Sequence, residues 1–192
     1  MEKKLLCLTV LLFCGCLGMP ESITPVRDFD LTRYLGTWYE IARLDHSFER
    51  GLEQVTAAYS LRDDGGVRVV NRGFSVKKNA WRQAEGRAYF VREPDEGYLK
   101  VSFFGPFFGS YVIFGLDRDN YQYAFVSGSS TSYLWLLSRT PAVSDTLMSR
   151  FLQKAVAYGF DTEGIIFVNQ KPGGGQQPAP LGEAVLPPDQ VL

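Results

Sequence analysis

The chain of 192 residues has 45% hydrophobic and 21% charged residues, which is the balance of a globular domain with one core. Its 20 Lys and Arg against 21 Asp and Glu leave a net charge of -1, which excludes the basic footprint of a nucleic-acid-binding protein. An aromatic content of 14% together with 19 Gly favours β-structure with tight turns over a helical bundle.

The start of the chain, residues 1–15, has the pattern of an export signal. Lysines at positions 3 and 4 precede a mostly apolar stretch over residues 5–13. This stretch is too short to span a bilayer, which takes roughly 20 helical residues. The pattern predicts a signal peptide that is removed from the mature protein.

The cysteines are confined to the signal and its end. All three lie within residues 1–16: Cys7, Cys14 and Cys16. The rest of the chain has none, so disulfides are not expected to hold the domain together. Gly15 and Cys16 resemble the lipobox of bacterial lipoproteins, although Phe13 stands where a lipobox usually has Leu. An ordinary signal peptide cut near residues 18–20 is the alternative.

The lipobox resemblance implies lipidation of Cys16. In lipoproteins the thiol of this cysteine is diacylated, and several acyl chains anchor a protein stably where a single one does not. Leu17 comes next, where Asp would favour retention in the inner membrane. We therefore expect a lipid-anchored protein at the periplasmic face of the outer membrane.

Composition divides the rest of the chain into three segments. Residues 16–28 contain two prolines and no periodicity, which predicts a tether on which the domain turns freely. Residues 29–170 alternate short strands with turn signals and are the predicted folded domain. Residues 171–192 are rich in Pro, Gly and Gln and are predicted to be disordered, with no function assigned.

The folded domain is predicted to be mainly β. Its eight expected strands cover residues 36–44, 54–62, 67–75, 81–91, 98–104, 110–117, 121–127 and 133–139. The short connections imply antiparallel neighbours in chain order, and such a sheet removes its edges by closing on itself. One helix runs from Ser144 as far as Gly159, and a short ninth strand covers residues 164–169.

Three regions of the chain together resemble the signatures of the lipocalin family. Gly36 and Trp38 form the first, a G-x-W motif at the start of the first strand. Asp117 and Tyr121 represent the second, where the usual Thr-Asp-Tyr triplet is not intact, and Arg139 is the third. Three such regions in order and at the right spacing are far more specific than a lone G-x-W.

Longer runs resemble the outer-membrane lipocalins of bacteria in particular. These runs are residues 44–52 and 101–107, and the resemblance as a whole covers about residues 28–170. It implies an eight-stranded antiparallel up-and-down calycin barrel with a C-terminal α-helix and a short ninth strand.

Strand alternation places the three signature regions at one end of such a barrel. If the strands run up and down, the start of the first lies beside the ends of the sixth and eighth. Arg139 can then lie over the ring of Trp38 in a cation–π contact. We expect this pair to be structural and to close the floor of the barrel without taking part in chemistry.

The opposite end is predicted to be the open mouth of a ligand cavity. An eight-stranded barrel has room for one small ligand, and alternate residues of each strand line the interior. The candidate ligand-binding residues are Tyr59, Phe90, Val101, Phe103, Tyr111 and Trp135. A cavity of this kind suits an acyl chain, whose polar headgroup would lie near His46, Arg50, Lys77 or Lys78.

Several polar residues have ordinary structural interpretations. His46, the only histidine, is expected to be a solvated loop residue. Glu40 beside Arg43 is expected to be a charge pair on the strand surface or at the floor, as is Glu85 beside Arg87. One histidine and a body without cysteine give no conventional metal cluster and no thiol nucleophile. The sequence shows no catalytic residues, no metal site and no cofactor motif.

The aromatic run over residues 103–109 has two possible interpretations. It forms either a tight turn whose rings fold back into the core, or an exposed aromatic rim that meets the membrane or a second barrel. The second interpretation makes a homodimer possible.

The expected function is that of a lipid-anchored binding protein that stores or transports fatty acids or lysophospholipids at the cell envelope. One alternative is a lipid-modifying enzyme, an isomerase or an esterase with a carboxylate in the cavity. Another is a structural envelope lipoprotein whose barrel is filled by side chains.

Overall fold

The computed structural model describes residues 17–171, so the predicted signal peptide, Cys16 and residues 172–192 lie outside the described residues. Its elements are α1 Leu31–Tyr34, β1 Gly36–Arg43, β2 Leu52–Leu61, β3 Val67–Ser75, β4 Ala80–Phe90, β5 Tyr98–Phe104, β6 Phe107–Leu116, β7 Tyr123–Ser127, β8 Leu134–Ser138, α2 Asp145–Ala157 and β9 Ile166–Phe167. Neither described helix is long and apolar enough to cross a membrane.

Eight of the strands form a closed antiparallel barrel in which neighbours in the chain are neighbours in space. The order runs from β2 through β8 to β1, and β1 pairs again with β2, which closes the ring. β9 adds to β1 through Ala42 and Arg43. The predicted fold class, including the C-terminal helix and the short ninth strand, is confirmed.

Successive residues of the strands face two separate cores. On β6, Ile113 belongs to an inner cluster around Trp38, whereas its neighbour Val112 belongs to an outer cluster. The outer cluster packs under α2, whose Phe151 is fully buried. Ser144 caps the N-terminus of this helix, and its hydroxyl accepts a hydrogen bond from the backbone of the first turn, as the sequence predicts for an N-cap.

A β-bulge in β1 breaks this alternation near the mouth. Glu40 lies opposite Leu137 on β8, and after a shift in register Arg43 lies opposite Trp135. Residues three apart on a regular strand face opposite sides, but the extra residue of a bulge puts Glu40 and Arg43 on the same, inner side.

The prediction that residues 17–28 form a free tether is wrong. Ile23 and Val26 are buried. The amide of Val26 donates to the carbonyl of Ile113 at 2.8 Å, and its carbonyl accepts from the amide of Gly97 at 2.9 Å. The segment lacks strand periodicity because it docks along the barrel as an irregular stretch, held by two apolar side chains and by backbone hydrogen bonds to Gly97 and Ile113.

Candidate ligand-binding cavity

The floor of the barrel is closed by the predicted contact between Arg139 and Trp38. The guanidinium carbon of Arg139 lies 3.8 Å from the centroid of the Trp38 ring. Trp38 is fully buried, and its indole nitrogen donates to the carbonyl of Tyr34 at 2.8 Å. The ring therefore has its polar group satisfied and a cation held against its face.

The guanidinium of Arg139 also joins three segments through backbone carbonyls. Nη1 donates to Thr37 at 2.9 Å, and Nη2 donates to Arg33 at 2.8 Å and to Leu35 at 2.9 Å. Nε donates to Tyr121 at 3.3 Å. All four acceptors are neutral carbonyl oxygens, so the cation holds α1, β1 and the β6–β7 loop together without a carboxylate.

The other signature residues lie beside this contact. Gly36 has φ +95°, and a Cβ there would lie 3.3 Å from Nη1 of Arg139, so a side chain would be strained and crowded. The carboxylate of Asp117 accepts from the amides of Asn120 at 3.4 Å and Gln122 at 3.2 Å, which shapes the β6–β7 loop. The four signature residues thus converge at the floor.

Above the floor the barrel encloses a cavity of about 660 Å³ that opens at the opposite end. Five of the six candidate ligand-binding residues line it: Tyr59, Val101, Phe103, Tyr111 and Trp135. The sixth, Phe90, belongs to the inner cluster but packs edge-on against Phe29 with ring centroids 6.1 Å apart, outside the cavity lining. The alternation along β4 predicts correctly that Phe90 faces inward, but it does not predict how far along the barrel axis the side chain lies.

Three tyrosine hydroxyls meet in the cavity wall. The hydroxyl of Tyr111 lies 2.7 Å from that of Tyr34 and 2.9 Å from that of Tyr59. Burial raises the pKa of all three phenols, so they stay neutral and donate to one another. This part of the cavity offers hydrogen bonds without charge.

The expectation that His46 is solvated is wrong. His46 is only 6% exposed, and its ring stacks on Tyr133 with centroids 4.8 Å apart and on Phe48 at 5.3 Å. Burial and then the charge of Arg43 lower the pKa of His46 to about 4, so the imidazole is neutral near pH 7. Its Nε2 atom has no hydrogen-bond partner among the described residues.

The expectation that Glu40 and Arg43 form a surface or floor pair is also wrong, because both are buried and Arg43 contacts Glu49 of the β1–β2 loop at the mouth. Nη1 of Arg43 donates to Glu40 at 2.7 Å, and Nη2 donates to the carbonyl of Glu49 at 2.9 Å. The Glu49 carboxylate lies 3.9 Å from Nε of Arg43 and accepts from the indole nitrogen of Trp135 at 3.1 Å. We call Glu40, Arg43 and Glu49 the mouth charge cluster.

The mouth charge cluster holds two carboxylates and one guanidinium. Burial, and then the charge of Glu49, raise the pKa of Glu40 to about 8, while Arg43 acts in the opposite direction. Burial also raises the pKa of Glu49. Because the single guanidinium balances only one carboxylate, the cluster holds a proton near pH 7.

The cationic residues predicted for the mouth are placed differently. Arg50 donates to Asp45 at 2.7 Å in an exposed pair, and Lys77 and Lys78 are exposed outside the cavity lining. Arg82 lines the cavity instead, on β4 opposite Gly73 of β3. The sequence signal that could have found the mouth charge cluster is the pair of charges within the otherwise apolar first strand.

Two rings of the aromatic run are exposed at the mouth. Phe104 is 79% and Phe107 66% exposed, and they pair across a tight turn at Gly105 and Pro106. β6 therefore begins three residues before its predicted start, with the aromatic residues in the strands. Phe108 is partly buried and lies outside the barrel against Tyr89, with centroids 6.2 Å apart.

Within residues 17–171, no group of three or more His, Cys, Asp or Glu residues is placed to hold a metal ion. The lining of the cavity is mostly apolar, with its charged groups near the mouth. The arrangement suits a ligand with a long apolar part and a polar end.

Comparison with known proteins agrees with this geometry. The family model for lipocalin-like domains matches residues 29–170. The chain belongs to the lipocalin family.

Two relatives and a solved structure illustrate the similarity. Outer membrane lipoprotein Blc of Vibrio cholerae is 60% identical over 171 residues, which is 89% of this chain and 100% of that protein. Blc of Escherichia coli K12 is 53% identical, over 83% and 89% of the two chains. Insecticyanin of the tobacco hornworm Manduca sexta has the same fold, with a TM-score of 0.61 over 79% and 86% of the chains at 22% identity.

These relatives also bear on the wider predictions. The bacterial lipocalins at 60% and 53% identity are outer membrane lipoproteins, so the predicted outer-membrane localisation is confirmed. The chain is a lipocalin binding protein for small hydrophobic molecules and not an enzyme.

Proposed function

We propose that this lipocalin stores or carries single-chain lipids, either fatty acids or lysophospholipids, at the periplasmic face of the outer membrane. The observation that carries the proposal is the cavity of about 660 Å³, which is closed at the floor and open at the mouth. Its volume lies in the range of small-molecule sites, roughly 300–1,000 Å³. Each buried methylene contributes about 0.8 kcal/mol before ordering costs.

We further propose that Cys16 carries the lipid anchor. The support is the lipobox-like pair of Gly15 and Cys16 and the similarity to outer membrane lipoproteins. Because residues 19–28 dock along the barrel, little chain is left between the proposed anchor and the folded domain. The mature protein would therefore stay close to the membrane that supplies its ligands.

The alternative of a barrel filled by side chains does not describe this structure, because the interior contains the cavity. Several lining residues are small or β-branched and leave space beside them: Ala57, Val67, Val69, Ala84 and Ala88. The barrel interior therefore has space for a small bound molecule.

Filling the cavity tests the proposed function. Val101 lines the cavity, whereas Lys100 beside it on β5 lies outside the lining and reaches toward Phe108 on the outer surface. In delipidated protein, Val101→Trp should weaken binding of palmitate and of a lysophospholipid at least tenfold by calorimetry. The matched control, Lys100→Trp, should bind like the unaltered protein. Equal binding by both variants would contradict a role for the cavity.

A further inference from the structure

The mouth charge cluster is an unusual wall for a lipid cavity. Glu40 and Glu49 are each buried to more than nine-tenths, yet both line the cavity. Among the described residues, the Glu40 carboxylate accepts a hydrogen bond only at Oε1, from Arg43, and the Glu49 carboxylate accepts one only at Oε2, from Trp135. The cluster therefore presents carboxylate oxygen to a bound molecule.

The charges of this cluster do not cancel. Arg43 is 1% exposed and is bound on one side by Glu40 and on the other by Glu49. With every group ionised, one negative charge remains at a site of low dielectric, where an unbalanced charge is costly. Either a proton or a cation from outside the protein can balance it.

Aromatic rings lie beside these carboxylates. Trp135 and Tyr133 line the cavity, and their rings stack with centroids 6.2 Å apart. The indole of Trp135 is also bonded to the Glu49 carboxylate. Buried His46 stacks on Tyr133 and lies tilted against Trp135, and its Nε2 atom has no hydrogen-bond partner among the described residues. Aromatic faces beside a carboxylate are the surroundings in which proteins bind ammonium groups.

We propose that Glu40, Glu49 and Trp135 form a subsite for the positively charged ammonium end of an amphiphilic ligand. This inference rests on the proposed function, since the apolar chain of the same ligand occupies the cavity. The ammonium group replaces the missing cation of the mouth charge cluster and lies against the indole ring.

A basic side chain on the opposite side of the barrel adds a positive charge to the cavity. Arg82 lies on β4, across the eight-stranded ring from β8, which carries Trp135. In the described part of the chain Arg82 forms no ion pair. A headgroup with phosphate and ammonium ends meets a basic wall and an acidic wall, whereas a carboxylate head group meets only the basic one.

A set of probes with one chain length tests the subsite. The probes are hexadecanol, palmitate, hexadecyltrimethylammonium and hexadecylphosphocholine, each kept below its micellar concentration and titrated into delipidated protein. Glu40→Gln keeps an acceptor for Arg43 and removes the surplus charge. We expect this variant to lower the affinity ratio of the ammonium probes to hexadecanol by about tenfold.

Glu85→Gln is the matched control, because Glu85 is an exposed carboxylate that pairs with Arg68 on the outer face, at 2.8 Å from its Nε. This control should leave the ratio unchanged. If hexadecylphosphocholine binds more tightly than hexadecyltrimethylammonium, the ammonium belongs to a zwitterionic lipid; the reverse order indicates a long-chain amine. Both orders support the subsite.

A second readout needs no variant. Binding of an ammonium group should displace the proton held by Glu40, so affinity for the ammonium probes should rise with pH between about 6 and 9. The charged and titratable groups around Glu40 are Arg43 on its own strand, Glu49 and His46 in the β1–β2 loop and Tyr59 on β2, and the cavity lining adds Tyr34, Arg72, Arg82, Tyr111 and Tyr133. Of these, His46 is already neutral in this range and Tyr59 stays protonated.

The outcomes separate the two proposals. An unchanged probe ratio in Glu40→Gln overturns the subsite. If hexadecanol and palmitate still bind, the proposed function stands without it. If none of the four probes binds, both proposals fall.

Discussion

The two ends of the barrel bury a guanidinium in opposite ways. At the floor, Arg139 is held by four neutral carbonyl oxygens and the face of Trp38. At the mouth, Arg43 lies between two carboxylates that outnumber it. The contacts of Arg139 involve no titrating carboxylate and so do not depend on pH. The surplus negative charge of the mouth charge cluster, in contrast, needs a proton or a bound cation to balance it. The comparison separates the part of the molecule that fixes the fold from the part that responds to a ligand.

Removing the floor cation should have the largest effect. Arg139→Ala loses the cation–π contact and leaves several carbonyls without a donor, so we expect the free energy of unfolding to fall by about 3–5 kcal/mol. Denaturant unfolding at two pH values measures it, and the loss should be the same at both. Arg139→Lys keeps the charge without the planar fork and should recover only part of the stability. A loss below about 1 kcal/mol would show that the floor does not depend on this residue.

Neutralising Glu40 at the mouth should increase the free energy of unfolding, which is the opposite of the effect of removing Arg139. The raised pKa of Glu40, about 8 against 4.5 when exposed, means that the folded state binds more protons than the unfolded state between these values. Stability is therefore lost as pH rises through this range. Glu40→Gln cannot ionise, so it should gain stability over the unaltered protein by about 2 kcal/mol at high pH, with little difference near pH 5. Thermal unfolding across pH measures the gain, and a difference that does not depend on pH would refute the assignment.

The exposed rings of the mouth should contribute least to stability. Phe104→Ser with Phe107→Ser should change the free energy of unfolding by less than about 0.5 kcal/mol, because both side chains are exposed. The same change should weaken liposome binding or dimerisation, if the rim contacts a membrane or a second barrel. Both measurements use protein with Cys16→Ala, because this change removes the proposed lipid anchor and should by itself release the protein from the membrane fraction. Unchanged flotation and unchanged mass by light scattering would rule out both roles for the rim.

Local patterns in the sequence predict the floor well. Gly36 and Trp38 begin a strand whose turn and register place them beside the end of β8, so Arg139 could be placed over Trp38 from strand direction alone. The alternation along β5 likewise predicts that Val101 and Phe103 face inward. These predictions succeed because they depend on period and direction, which regular strands preserve.

The sequence predicts the mouth poorly, because the arrangement there depends on irregular backbone. The two charges of β1 are visible in the sequence, but the bulge that places Glu40 and Arg43 on one face is not, because regular alternation puts residues three apart on opposite faces. His46 is buried between Phe48 of its own loop and Tyr133 just before β8, and the contact with Tyr133 joins segments that are far apart in the chain. The docking of Ile23 and Val26 has no sequence signal for the same reason, since an irregular segment has no periodicity.

The outer cluster under α2 allows the fold and its guest to change separately. Because Val112, Phe125 and Phe151 pack outside the barrel, their contacts do not depend on what the interior holds. Substitutions that reshape the lining at Ala57 or Val101 leave this second core in place. A lineage can therefore exchange one small hydrophobic guest for another through a few inward-facing residues, while the scaffold that presents them stays the same.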